Sequence, residues 1–151
     1  MNEGADATTS SCCDGPSGCV FAKALQARAV GCELARRRAV GERELIECTS
    51  PVARTTCQTL SQVARERARF ALKLPRSGAP LMHTQALRLQ CGGLLGLRQV
   101  LDASDPDVHR MVGLALERHG SLVALPWDAI VAALMRWQPR RPRRPQPPTS
   151  T

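Results

Sequence analysis

Seven cysteines are the residues of this 151-residue chain with the clearest capacity for chemistry. Cys12, Cys13 and Cys19 lie in the run CCDGPSGC, while Cys32, Cys48, Cys57 and Cys91 are spread over segments with the apolar periodicity of folded elements. Thiolates are soft ligands, and a converging set of them selects zinc, copper(I) or an iron–sulfur cluster. The closely spaced Cys-x-x-Cys pairs of zinc ribbons and ferredoxins are absent, so any such centre has to be gathered by the fold. Four gathered thiolates also carry negative charge, which Arg36, Arg37, Arg38, Arg54 and the positive end of a helix starting at Pro51 are placed to offset. These considerations point to a centre made by Cys32, Cys48, Cys57 and Cys91 that holds an iron–sulfur cluster, with zinc as the alternative metal. His83 precedes Cys91 by eight residues and is the first substitute ligand. The competing account makes the cysteines small buried apolar side chains.

The elements that would position these thiols can be read from the pattern. Ser50-Pro51 is a helix start, with a hydroxyl to cap exposed backbone N–H groups and a proline that has none to satisfy. Apolar residues Ala53, Cys57, Leu60, Val63, Ala64, Ala71 and Leu74 follow at helical spacing and predict a helix to about Leu74, with Cys57 inward. A second helix is expected from about Pro80 to Leu101, with Leu87, Cys91, Leu94, Leu95 and Leu101 on one side. It contains QCGGLLG, and glycine in a helix costs about 1 kcal/mol relative to alanine. Close helix packing at Gly92, Gly93 and Gly96 offsets that cost, or the segment breaks into two shorter helices, or an inorganic group approaches the backbone beside Cys91. Asp105-Pro106 opens a further helix that His119-Gly120 closes, and Pro126 starts a short one whose Trp127 fastens it to the core.

AKALQARA favours helix, whereas VGCELARRRAVGERELIEC reads as helix or as a hairpin near residues 30–48. A hairpin turning at Ala39-Val40-Gly41 sets Cys32 opposite Cys48, Leu34 opposite Ile46 and Arg36 opposite Glu44, at the cost of Glu33 facing Glu47. The fold class that follows is mainly α: a small single-domain helical bundle over residues 19–138 with one β-hairpin. Residues 1–18 form a flexible cysteine-containing lead, and residues 139–151 a Pro/Arg-rich tail whose composition does not support a core.

Charge and composition narrow the function classes. The formal net charge is +8, and Arg140, Arg141, Arg143 and Arg144 contribute half of that excess. Such a tail suits an acidic or redox protein partner, or the phosphates of a nucleic acid, and a metal-free adaptor working through it is the alternative function. With no Tyr, two Phe and two Trp, the chain is poorly supplied for base stacking. Phosphate-binding loop, nucleophile elbow and paired-histidine motifs are all missing, so no enzyme class is assigned. The odd cysteine count argues against a closed disulfide framework, and the first residues lack a basic-then-apolar leader, so a cytoplasmic protein is expected. Arg88, Arg98, Asp102 and Asp128 interrupt the best apolar windows, leaving no membrane span. Electron transfer, cluster handling or redox sensing is the expected role.

Overall fold

Ser50 caps its helix as the sequence predicts: its hydroxyl accepts the Ala53 N–H at 3.2 Å and Pro51 takes the first turn. The computed structural model describes residues 17–76 and 78–140, so Cys12, Cys13, Arg141, Arg143 and Arg144 lie outside the described residues. The elements are α1 (Ala22–Gln26), β1 (Ala35–Val40), β2 (Arg43–Cys48), α2 (Pro51–Ala68), α3 (His83–Leu101), α4 (Val108–His119) and α5 (Trp127–Arg136). The domain is therefore mainly helical with one antiparallel hairpin. Among the described residues no helix is long and apolar enough to cross a membrane.

α2 buries Leu60, Ala64 and Ala68. It stops six residues short of the expected Leu74, because the chain turns through Phe70 and a left-handed Lys73 (φ +53°) before Leu74 re-enters the core. The Arg65 guanidinium ties the following loop back across the helix by donating to the carbonyls of Arg76 and Ala79.

The glycines of α3 have a packing explanation. A Cβ added at Gly96 would lie 3.0 Å from the backbone of Ile130, and one at Gly92 would lie 3.1 Å from the Leu134 Cα. α5 thus lies directly on the α3 glycine stripe, where side chains would hold two helices apart. The space beside Cys91 that an inorganic group would need is part of a packed core. Leu94, Leu97, Leu101, Met111, Ile130 and Leu134 surround this contact at 2 % exposure or less. Trp127 fastens α5 as expected, its buried indole N–H donating to the Leu122 carbonyl at 2.9 Å.

The hairpin forms, but in a different register. Ala35 faces Cys48, Arg36 faces Glu47 and Arg37 faces Ile46, so the strands are shifted by three residues from the expected pairing. The loop has two residues, Gly41 and Glu42, with Gly41 at φ +63°. A two-residue loop matches the twist of the strands, and glycine supplies the positive φ at its first position. The shift also removes Glu33 from opposite Glu47 and lets Arg37 and Arg38 pair with Glu44 and Glu47.

β2 has a second neighbour. Cys19 N–H donates to the Ile46 carbonyl and Cys48 N–H to the Ser17 carbonyl, so residues 17–19 run antiparallel along its free edge, bridged at Gly18 and Glu47.

Candidate thiolate centre

Cys19, Cys32, Cys48 and Cys57 line one small cavity together with Phe21, Leu34, Arg54, Val108 and His109. Each sulfur arrives on a different piece of chain. Cys48 ends β2, and its Sγ–H donates to the Ser50 carbonyl at 3.3 Å. Cys57 stands in the second turn of α2. Cys19 comes from the segment beside β2.

Cys32 is held by the start of α4. Gly31 N–H donates to the Pro106 carbonyl, Val108 N–H donates to the Gly31 carbonyl, and Glu33 N–H donates to the Asp107 carboxylate at 2.6 Å. The same carboxylate accepts the Arg110 N–H and caps α4. Helix α4 was expected to open at Asp105-Pro106. Asp107 caps it instead, while Asp105 pairs with Arg110.

Burial sets the electrostatics of Cys19, Cys32 and Cys57. Burial pushes the Cys57 thiol up to about 12, and negative charge on Cys19, Cys32 or Cys48 would raise it further. Burial also raises Cys19, against the pull of the Phe21 N–H, with Cys32 and Cys48 adding to the rise and Arg54 opposing it. Cys32 is raised by burial and lowered by the N–H groups of Leu34 and His109. Two of the sulfurs therefore receive an N–H from two residues downstream, and Cys32 also takes a free N–H from the first turn of α4. Burial and the Asp107 carboxylate disfavour thiolate at these sulfurs, whereas the N–H groups of Phe21, Leu34 and His109 and the nearby Arg54 charge act the other way.

Arg54 is the one Lys or Arg among the described residues that lines this cavity, and its Nε donates to the Gly18 carbonyl at 2.6 Å. Arg36, Arg37 and Arg38 face solvent on β1 instead.

Of the four predicted ligands, the structure brings Cys32, Cys48 and Cys57 together and leaves Cys91 apart. Cys91 is 2 % exposed in the α3 core, and burial alone raises its thiol, with no contribution from another cysteine. Cys19 takes the fourth place. Its signal in the sequence is the apolar run Cys19-Val20-Phe21, which marks the chain entering the core. Cys32 reaches the cavity without facing Cys48, because the turn before β1 redirects it: Ala35 N–H donates to the Cys32 carbonyl. His83 is exposed at the start of α3 and does not line the cavity.

The donor set fits a thiolate-bound group in chemistry and charge, whereas the space is closed. The cavity measures about 20 Å³, room for roughly one water. Among the described residues no three His, Cys, Asp or Glu side chains are arranged to hold a single metal ion. No family model matches the chain, and no curated protein or solved structure is significantly similar to it.

Proposed function

We propose that this chain is a small iron–sulfur protein whose cluster is ligated by Cys19, Cys32, Cys48 and Cys57, acting in electron transfer, cluster handling or redox sensing. The observation that carries the reading is four cysteines, separated by up to 38 residues of sequence, lining one cavity. Buried cysteines used only as apolar filler have no reason to collect around a single void, and Cys91 shows how such a residue sits.

Tetrahedral zinc would require sulfurs roughly 3.8 Å apart, given Zn–S bonds of about 2.3 Å. A cluster spreads its four thiolates over two or more irons and so accepts sulfurs set farther apart than a single zinc does, which favours it for ligands carried on four separate elements. The apolar lining of Phe21, Leu34 and Val108 would shield such a group from water. The reading places the protein in the cytoplasm, where thiols stay reduced and available.

Anaerobic reconstitution with ferrous iron and sulfide tests the proposal. Visible absorbance together with stoichiometric iron and acid-labile sulfide is expected for the wild type and for Cys91→Ala. A colourless wild-type chain with all of its thiols free would overturn the reading.

A further inference from the structure

Positive charge is concentrated in one part of the chain. Between Glu47 and Asp102 the sequence carries a single carboxylate, Glu66, against eight arginine and lysine side chains. Arg54, Arg65 and Arg98 serve the fold, donating to backbone carbonyls. Arg67, Arg69, Lys73 and Arg76, by contrast, are exposed at the end of α2 and along the turn after it, and none forms an ion pair among the described residues.

The same turn displays an aromatic ring. Phe21 and Trp127 are buried and Trp137 is half-buried, whereas Phe70 is 88 % exposed, with the Arg69 guanidinium 5.9 Å from its ring centre. The backbone beneath the ring is fixed: Leu74 N–H donates to the Arg69 carbonyl and Lys73 N–H to the Phe70 carbonyl, a Schellman closure. Its left-handed position, normally a glycine, is Lys73 at φ +53°. The dipole of α2 accounts for arginine near its C-terminus. It gives no reason for an aromatic ring in water, or for lysine where glycine is free of strain.

Further charge is directed to this end of the bundle. α5 runs antiparallel to α3, since Gly96 meets Ile130 while Gly92 meets Leu134 and Trp137, so the chain leaves α5 heading towards the start of α3. The exposed Arg136 and Arg140 are carried that way. The Arg65 bonds to the Arg76 and Ala79 carbonyls hold the α2–α3 turn near the same end.

We infer that this turn is a binding site for single-stranded nucleic acid, in which Phe70 stacks on one unpaired base while Arg67, Arg69, Lys73 and Arg76 hold the neighbouring phosphates. Guanidinium groups match phosphate oxygens two at a time, and an aromatic ring accepts the face of any base. A duplex keeps its bases stacked on one another and offers the ring nothing. The fixed mount lets the ring bind without first being ordered. The site shares no residue with the thiol-lined cavity and does not rest on the cluster reading.

Binding of the full-length chain to a fluorescein-labelled oligouridylate, followed by anisotropy over a range of salt concentrations, tests the site. Phe70→Ala and Phe70→Leu are each expected to weaken binding about tenfold, whereas Phe70→Trp keeps it. Arg69→Gln and Arg76→Gln should each lower the slope of log affinity against log salt by about 0.7. Lys73→Gly should lower the slope likewise while raising the urea midpoint, a pairing of effects that loss of structure would not give. Binding to a duplex of the same length should not respond to Phe70→Ala. Wild-type affinity in Phe70→Leu would overturn the inference. So would binding that ignores Phe70 yet disappears in the combined Arg140→Gln, Arg141→Gln, Arg143→Gln and Arg144→Gln variant. Phe70-dependent binding to phosphatidylserine vesicles, by a chain whose oligouridylate affinity is indifferent to Phe70, would overturn it in favour of a membrane surface. A colourless chain that binds the oligonucleotide through Phe70 would remove the cluster and leave this site standing.

Discussion

Cys57 and Cys91 each occupy the inward face of a long helix, yet their surroundings differ in kind. Around Cys91, glycines on α3 let the α5 backbone come within contact distance, and the sulfur is one more atom in a dense core. Around Cys57, three other sulfurs arrive from β2, from the turn tied to α4 and from the edge segment at residues 17–19, and a void remains between them. Burial alone does not separate a structural thiol from a candidate ligand. What separates them is whether other donors, remote in sequence, converge on the same space.

The comparison can be broken at either region. The largest loss of stability is expected from Leu134→Ala, which empties a fully buried site against the α3 glycines and should cost about 4 kcal/mol in urea unfolding of the metal-free chain.

Raising the pH should act next, and at the other region. The folded metal-free chain favours neutral thiols, since Cys57 is raised from 9.0 to about 12 and Cys19 and Cys32 are also raised. That contribution is fully present below about pH 9 and is lost as pH climbs towards 12. Urea midpoints measured across this window should fall, and less steeply in Cys57→Ala.

Asp107→Ala removes a helix cap together with the acceptor for Glu33 N–H, at a cost of about 2 kcal/mol, and should lower iron uptake because Cys32 loses its anchor. Cys91→Ala is expected to cost about 1 kcal/mol and leave iron content unchanged. Phe70→Ser, at a side chain 88 % exposed, should change the unfolding free energy by less than about 0.5 kcal/mol.

Much of the scaffold was legible before any coordinates. Ser50-Pro51, the His119-Gly120 stop and the Trp127 stripe are local signals, and local hydrogen bonding and burial realise them. The hairpin was legible but its register was not, because a two-residue and a three-residue loop both place glycine at the turn. The like charges at Glu33 and Glu47 were the clue that the wider loop was wrong.

The site was legible in part. Helical spacing turns both Cys57 and Cys91 inward, but spacing does not say which neighbour each will meet, and that depends on how α3 lies against α5. Cys19 closes the run CCDGPSGC, whose Gly15, Pro16, Ser17 and Gly18 carry no apolar period that would place its sulfur. The edge pairing that draws it in comes from backbone groups, which leave no mark in residue type.

Asp107 joins two stretches of chain with one side chain, one oxygen going to Glu33 N–H and the other to Arg110 N–H. It follows Cys57 by 50 residues. As the polypeptide emerges from the ribosome, the turn bearing Cys32 therefore has no fixed seat until α4 has been synthesised, well after all four clustered cysteines are out. Assembly of this corner is consequently a late event, and a nascent chain truncated before that aspartate would carry every thiol of the group yet lack the joint that sets one of them.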